Sequence, residues 1–203
     1  MNPASTSFVL GYHGCDRGVA GQIISGAQSL QTSENDYDWL GDGIYFWEHN
    51  AHRAFDFASE VRGKPRNARQ RIKEPAVVGA IIDLGFCLNL LDGRFIRLVK
   101  QTHDDLIRLT CEAGGQLPNN SVGDDLIVRE LDCAVIRFLH TTRAGMNLQA
   151  FDTVRAAFME GDRLYSNAGF AAKNHIQICV RNPACIKGYF RPLDDDGRPL
   201  SFE

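Results

Sequence analysis

Three short segments of this 203-residue chain carry side chains that can do chemistry on a small ligand. They are Tyr12-His13-Gly14, residues 41–47 (GDGIYFW) and residues 175–180 (HIQICV). An imidazole can hydrogen-bond a hydroxyl group, a glycine lets a ligand approach the backbone, and a tyrosine ring offers a flat face for stacking. These residue types favour a site that holds a flat ring beside a hydroxyl-bearing group.

Each segment is predicted to lie on or beside a short strand. Residues 8–13 are predicted as the first strand, and residues 44–47 as an aromatic strand that follows a polar loop rich in Gly and Asp. In residues 174–182, Ile and Val alternate with polar side chains, which predicts a half-buried strand. Two helices are predicted beside these strands, over residues 17–26 and from about 49 to 61, where apolar and small residues recur every three or four positions.

The rest of the chain indicates an α+β domain with a helical insertion. The apolar run at 76–84 predicts a buried central strand, and residues 186–190 predict a last one. Between them, residues 93–113 and 124–143 each show the apolar stripe of an amphipathic helix. Strands at both ends and helices in the middle are typical of a single α+β domain, with an inserted helical pair at about 93–143.

The order of the three segments resembles the diphtheria-toxin-like and poly(ADP-ribose)-polymerase-like branch of the ADP-ribosyltransferases. In that branch a His-Gly on the first strand is followed by a Gly-x-Gly-Ile-Tyr-Phe segment and then by a helix with a stripe of small residues. His13-Gly14 and residues 41–46 (GDGIYF) match this order. The resemblance covers about residues 8–60 and 174–190, and it implies a split, strongly bent β-core with an NAD cleft. The middle of the chain matches no pattern that we can name.

The other branch of these transferases fits less well. It uses an Arg on the first strand, a Ser-Thr-Ser segment and a Glu-x-Glu loop. Here Ser5-Thr6-Ser7 precedes the first strand, and the sequence contains no Glu-x-Glu.

The resemblance implies that NAD is the substrate and assigns roles to five residues. His13 would hold the adenosine-side ribose, Gly14 the carboxamide and Tyr45 the nicotinamide ring. Gly41 and Gly43 would let the loop turn beside the ligand. The chemistry suits such a site, because the glycosidic bond breaks through an oxocarbenium-like transition state and the pyridinium leaves as a neutral molecule. The site therefore needs to position the substrate and to stabilise developing charge, and it does not need a strong acid.

Purely structural roles remain open for the same residues. His13 could be a hydrogen-bonded structural histidine, and the two glycines could be ordinary turn residues. For Phe46 and Trp47, packing within a strand is the favoured interpretation.

The third position of the family pattern, often a Glu on a late strand, is Gln177 here. An amide can hydrogen-bond a ribose hydroxyl but cannot act as a base, which favours single transfer over polymer elongation. Gln177 could also belong to the polar face of a half-exposed strand. Glu160 is the nearest candidate for a base, with a solvated loop carboxylate as its alternative. Asp38 and Glu48 are weaker candidates that we expect at the surface.

A basic segment gives a hint about the acceptor. Residues 62–73 contain six cations and no acid: Arg62, Lys64, Arg66, Arg69, Arg71 and Lys73. Such a run is either a solvated face or a phosphate-contacting patch for nucleic acid, here on a loop over the cleft. It slightly favours RNA or DNA over protein as the acceptor, with Arg66, Arg69 and Arg71 as the contacts.

Composition excludes several classes of protein. A hydrophobic fraction of 44%, a charged fraction of 23% and a net charge of −3 are those of a globular domain, and not of a disordered or coiled-coil chain. No apolar run is long enough to span a membrane, and the first residues lack the pattern of a signal peptide, so we expect a cytoplasmic protein. None of the six cysteines forms a C-x-x-C pair, which favours free thiols in a reducing compartment.

The sequence also argues against a metal. His49 and His52 could be two ligands one helical turn apart, but no third ligand follows at a usual spacing. NAD, as a substrate, is therefore the one small molecule expected, with no metal.

The expected function is an NAD-dependent mono-ADP-ribosyltransferase of the bacterial toxin type, which acts on a macromolecule and releases nicotinamide. Its toxin-like character implies an antitoxin among its partners, and no membrane. Two alternatives stay open. One is a non-catalytic NAD- or ADP-ribose-binding module on the same fold. The other is an RNA 2′-phosphotransferase-like enzyme, which would need further basic or His groups that the sequence does not place.

Overall fold

The apolar segments of the chain pair into a seven-stranded sheet with helices on both faces. The structure is a computed structural model that describes residues 8–63, 72–194 and 196–200. Its strands are β1 (Phe8–Asp16), β2 (Ile44–Glu48), β3 (Pro75–Asp83), β4 (Cys87–Asn89), β5 (Asn120–Ser121), β6 (Val128–Arg129), β7 (Thr153–Phe158), β8 (His175–Val180) and β9 (Ile186–Phe190). Its helices are α1 (Arg17–Ile24), α2 (Ala51–Glu60), α3 (Gly93–Glu112) and α4 (Glu130–Gly145), and a short 3-10 helix spans Pro183–Cys185.

The strand order decides which segments can share a site. Across the sheet it is β4-β7-β8-β2-β1-β3-β9, and every neighbouring pair is antiparallel except β4 and β7. β1 pairs with β3 over all nine of its residues. It meets β2 at only two register pairs, at Gly11 and Tyr12. β1 and β2 are therefore paired over only a short stretch, which ends next to His13.

Alternation along the strands divides their side chains between two faces. On one face, α1 covers an apolar cluster that includes Phe46, Val78 and Ile178. On the other face, α2 lies across β1 and β3, where Ala54 packs with Trp47. Helices α3 and α4 cover that second face further along, over β7 and β8. The predicted helical insertion thus lies between β4 and β7 in the chain.

Gly14 allows α2 to pack directly on β1. A Cβ at this position would lie 2.0 Å from the Ala54 carbonyl oxygen and 3.2 Å from the Ala58 Cβ. A backbone oxygen cannot swing aside as the end of a side chain can, so a larger residue would push the helix off the strand. The packing fixes α2, and the polar side chains it carries, against the middle of the sheet.

Helix α4 begins later than predicted, at Glu130 instead of at residue 124. The residues before it form β5 and β6, which pair as a separate two-stranded ribbon. Asn120 on this ribbon accepts hydrogen bonds from the backbone N–H groups of Leu131 and Asp132, at 3.0 and 3.2 Å. A side chain from outside the helix therefore caps its N-terminus. The predicted boundary was wrong because the local sequence pattern contains no sign of this distant cap.

All six cysteines are free thiols, and four of them, Cys15, Cys133, Cys179 and Cys185, are buried. Burial raises the pKa of Cys15 to about 12, so this thiol close to His13 stays protonated. Within the described ranges, no helix combines the length and the apolar character that a bilayer crossing requires.

Candidate functional site

The three strands that carry the predicted motifs are neighbours in the sheet, in the order β8-β2-β1. Tyr45 on β2 is in register with Cys179 on β8, and Trp47 with Gln177. Directly opposed residues share a face of a sheet, so Trp47 and Gln177 lie side by side. The structure thus brings the His-Gly, the aromatic and the late-strand segments to one region.

His13 lies where β1 and β2 stop pairing. Its Nδ1 is 2.8 Å from the backbone carbonyl oxygen of Tyr45, and its ring meets Phe46 edge-on at 5.8 Å. A carbonyl oxygen only accepts hydrogen bonds, so Nδ1 carries the proton and Nε2 is left as an acceptor. Burial lowers the pKa of His13, and the bond to Tyr45 offsets only part of that effect. The imidazole is therefore neutral at pH 7.

The Tyr45 side chain lies on the opposite face from Phe46, and therefore away from the His13 ring. Its hydroxyl donates to the Gly41 carbonyl oxygen at 2.8 Å and accepts from the Leu40 backbone N–H at 3.0 Å. Burial strongly raises the pKa of this phenol. His13 and Tyr45 are thus joined through a backbone carbonyl and not face to face. The stacking of Tyr45 on a ligand stays a prediction.

Close packing explains why position 43 is a glycine, as it does for position 14. A Cβ on Gly43 would lie 2.4 Å from the Cys179 sulfur and 2.8 Å from the Val180 carbonyl oxygen. The loop before β2 can approach β8 this closely only without a side chain at that position. These contacts account for both glycines without a ligand, and their predicted roles toward NAD remain predictions.

Gln177 is half-buried and faces the same side as Trp47. Its Oε1 accepts a hydrogen bond of 2.7 Å from the Trp39 indole N–H. Since the indole nitrogen can only donate, this contact fixes the orientation of the amide. Gln177 therefore offers its NH₂ group, a donor, to anything that binds beside it.

A buried ionic pair lies next to these residues, and the sequence pattern had pointed only to its carboxylate. Glu160 accepts a hydrogen bond of 2.5 Å from Arg53 Nη2, and the two side chains are 8% and 6% exposed. Arg53 is also 3.6 Å from Glu60, which is paired at 2.7 Å with Lys173. The solvated-loop alternative for Glu160 is thus wrong, because the Arg53 guanidinium holds its carboxylate inside the protein.

His175, at the start of β8, completes this cluster. Its Nδ1 is 2.7 Å from the Lys173 carbonyl oxygen and 3.7 Å from Glu160 Oε2, and its side chain is fully buried. Burial lowers the pKa of His175 to about 4, so the ring is neutral at pH 7. The Lys173 carbonyl requires the proton on Nδ1, which leaves Nε2 as an acceptor.

Aromatic rings surround the cluster. His175 stacks on Phe158 at 5.3 Å and lies 6.1 Å from the ring of Trp47. Trp47 also meets Phe57 at 5.0 Å, and the Arg129 guanidinium lies 3.9 Å from the centre of the Phe158 ring. The site therefore combines cationic and aromatic side chains.

Several buried polar atoms of this cluster lack a hydrogen-bond partner among the described residues. They are Trp47 Nε1, Arg53 Nε, Arg53 Nη1 and His175 Nε2. Buried polar groups are nearly always paired, so such a concentration calls for an explanation. One sequence signal could have found Arg53, since it shares a helix face with Phe57 and Glu60 at spacings of four and seven residues.

The two weaker carboxylate candidates are not at the surface, and that prediction was wrong. Asp38 is 9% exposed and accepts from the Asn35 backbone N–H at 2.7 Å, and burial raises its pKa. Glu48 is paired with Arg155 at 2.5 and 2.7 Å. Both oxygens of Glu48 are bonded to Arg155 and both oxygens of Asp38 are bonded to Asn35, so neither carboxylate is a free base.

The basic segment falls mostly outside the described residues, and Arg66, Arg69 and Arg71 all lie there. Of its six cations only Arg62 and Lys73 are described. The backbone N–H of Lys73 donates to Asp16 at 2.8 Å, next to the start of α1. In the part of the chain that the structure describes, no three His, Cys, Asp or Glu side chains come together in a way that could hold a metal ion.

Comparison with known proteins gives one relative. The chain is similar to an uncharacterized protein of Methanocaldococcus jannaschii, with 28% identity over 192 residues that cover 87% of this chain and 83% of the relative. No protein-family model matches the chain, and no solved structure matches it. The similarity therefore extends over most of both proteins.

Proposed function

We propose that this protein is an NAD-dependent mono-ADP-ribosyltransferase of the toxin type, which transfers ADP-ribose to a macromolecule and releases nicotinamide. The observation that supports this most is the short ladder between β1 and β2. It ends after two register pairs, and beyond it the His13 side chain reaches across to the Tyr45 carbonyl. An interruption of the ladder at this place agrees with the split β-core that the sequence resemblance implies.

The neutral His13 suits the grip on a ribose. Its Nε2 can accept a hydrogen bond from a ribose hydroxyl, because Nδ1 is already used by Tyr45. Gln177 faces the side of the sheet opposite to the His13 ring. Its NH₂ group, left free because its Oε1 is held by Trp39, can donate to a part of the ligand that reaches that side. Neither contact needs a charged group, which fits a transferase that depends on positioning.

In the proposed reaction the bond between the ribose carbon and the nicotinamide nitrogen breaks, and nicotinamide leaves with the electron pair as a neutral molecule. A nucleophile of the acceptor forms the new bond to that carbon and loses a proton. We assign the proton to Glu160, whose Oε1 is held by Arg53 while Oε2 faces His175 at 3.7 Å. A carboxylate near the reacting carbon would also stabilise the positive charge that develops on the ribose.

The acceptor that we favour is RNA or DNA, on the strength of the cations in residues 62–73. If this is correct, neutralising Arg66, Arg69 and Arg71 together lowers modification of the acceptor and spares the hydrolysis of NAD. Equal losses in both reactions would remove the argument for nucleic acid.

The direct test is to incubate the purified protein with NAD and to follow free nicotinamide by chromatography. Mass spectrometry of added RNA, DNA and protein fractions then identifies the molecule that gains ADP-ribose. We expect release by the wild type, strong loss in His13→Ala, and no change in His103→Ala on α3, which serves as the matched control. Saturable binding of NAD without release would instead favour the non-catalytic binding module, in agreement with the uncharged Gln177.

One observation favours the RNA 2′-phosphotransferase-like alternative. That reaction calls for further basic groups in the pocket, and the Arg129 guanidinium lies over the rings of Trp39 and Phe158, which contact Gln177 and His175. The test is a 2′-phosphorylated oligonucleotide supplied together with NAD. Removal of its phosphate would support this alternative, and an unchanged oligonucleotide in the presence of nicotinamide release would exclude it.

A further inference from the structure

The unpartnered atoms of the buried cluster have a definite hydrogen-bonding character. Trp47 Nε1, Arg53 Nε and Arg53 Nη1 are donors, and His175 Nε2 is an acceptor because the proton of the neutral ring is on Nδ1. The side chains are close, since the Arg53 guanidinium carbon is 5.8 Å from the centre of the Trp47 ring and the Trp47 and His175 rings are 6.1 Å apart. A group that satisfies them must therefore offer oxygen acceptors and at least one N–H or O–H.

The charge of the cluster disfavours an anion. Arg53 is already neutralised by Glu160 at 2.5 Å, while Glu60 lies between Arg53 and Lys173. An additional anion would be left uncompensated in a buried place, which is costly. It would also meet the lone pair of His175 instead of a donor. An uncharged group with a carbonyl beside an N–H meets both requirements.

We propose that Trp47, Arg53 and His175 form a binding site for an uncharged amide edge, in which the indole and guanidinium donate to a carbonyl oxygen and His175 Nε2 accepts from the neighbouring N–H. Two components of the proposed reaction carry such an edge, the carboxamide of the nicotinamide ring and the base of a nucleotide acceptor. The inference extends the proposed function, but binding can be measured without turnover.

In this proposal Phe57 marks the point where the ligand enters. It lies on α2 against the Trp47 indole, with ring centres 5.0 Å apart, and it is 38% exposed. Its side chain has no polar atom, so its rotation breaks no hydrogen bond. A flat ring that carries the amide edge can then take its place against the indole, where stacking adds to binding.

The experiment uses matched pairs of probes on the full chain. Nicotinamide is compared with N,N-dimethylnicotinamide, and uracil with 1,3-dimethyluracil, by ligand-observed NMR and by titration calorimetry. Each methylated partner keeps the ring and the carbonyl but lacks the N–H. We expect at least one parent to bind about tenfold more tightly than its methylated partner, which is the effect of leaving one buried acceptor unpaired. The pair that shows the difference identifies the source of the edge.

Two variants tie this difference to the residues. Trp47→Phe keeps a ring in the core and removes one donor, and we expect it to weaken the parent probe about tenfold. His175→Phe keeps the stacking on Phe158 and removes the acceptor, so it abolishes the difference between parent and methylated probe. His103→Phe on α3 is the control substitution, and circular dichroism checks that every variant is folded.

Three results would overturn the inference: equal binding of parent and methylated probes, unchanged binding in Trp47→Phe, or no binding of any probe, which would mean that the cluster holds ordered water only. If nicotinamide is still released from NAD in spite of these results, the proposed function is retained and only this binding site is rejected. If the probes bind but no nicotinamide is released, the binding site is retained and the proposed reaction is rejected.

Discussion

The free energy of unfolding should depend strongly on the buried pair of Arg53 and Glu160. Both side chains are less than a tenth exposed, so solvent screens their attraction little. At an effective dielectric constant near 20 and about 4 Å between the charges, that attraction is about 4 kcal/mol. Removing one partner leaves the other buried with incomplete compensation, and we expect Glu160→Leu or Arg53→Met to cost about 3–5 kcal/mol.

The double variant Arg53→Met, Glu160→Leu is the decisive comparison. It removes both charges and fills the space with apolar groups, so we expect a stability within about 1 kcal/mol of the wild type. The assay is equilibrium unfolding in urea, monitored by far-UV circular dichroism and by the fluorescence of Trp39 and Trp47. The four proteins form a double-mutant cycle that yields the coupling between the two side chains directly.

The matched control is the pair Lys100 and Asp104 on α3, which is 2.5 Å apart but 69% and 55% exposed. Water and salt weaken a pair of this kind, so its coupling should be below about 0.5 kcal/mol. Similar coupling energies in the two cycles would refute this prediction, because burial would then not be what makes the Arg53 pair strong.

Four further outcomes follow from the structure. Gly14→Ala should destabilise the protein by about 3 kcal/mol or more, because the new Cβ would collide with the Ala54 carbonyl oxygen. Gly21→Ala has open space around it and should stabilise α1 by about 0.5–1 kcal/mol. The midpoints of urea unfolding measure both effects. Asp16→Ala should cost about 1–2 kcal/mol in the same assay, because Asp16 caps α1 and also binds the Lys73 and Glu74 N–H groups. Since the pKa of His175 falls to about 4 on folding, the unfolded chain gains the proton first as the pH drops; stability should decrease by roughly 3 kcal/mol between pH 6.5 and 4, and His175→Phe should remove this part of the pH profile. Gln177→Glu should raise nicotinamide release if the missing carboxylate limits the reaction, and unchanged release would show that Gln177 only positions the substrate.

Much of the secondary structure could be predicted because β1, β2, β3, β8, β9 and the helices carry their own patterns. The alternation in β8 predicted the strand and also predicted which side chains share a face with Gln177. The start of α4 could not be predicted, because the cap comes from Asn120 on a ribbon whose strands are two residues long. Such short strands carry no periodicity.

The candidate site was predictable only in outline. The segments of His13, Tyr45 and Gln177 do come together on adjacent strands, but the buried partners of these segments depend on tertiary contacts. Arg53 and Glu160 are 107 residues apart in the chain, and nothing local in the sequence couples them. Glu160 lies in a loop between Met159 and Gly161, and its burial follows from the position of α2 and not from these neighbours.

The short ladder between β1 and β2 has a mechanical consequence. On one side, β1 and β3 are joined by nine register pairs; on the other, β7 and β8 are joined by six and β2 and β8 by four. The sheet thus consists of two well-paired parts, one with β1 and β3 and the other with β2, β7 and β8. Only the two register pairs between β1 and β2 join these parts. Under tension or during transient opening, we expect β1 to separate from β2 before either part of the sheet unfolds. A ligand that contacts both parts would hold them together, and the two parts would then unfold as a single cooperative unit.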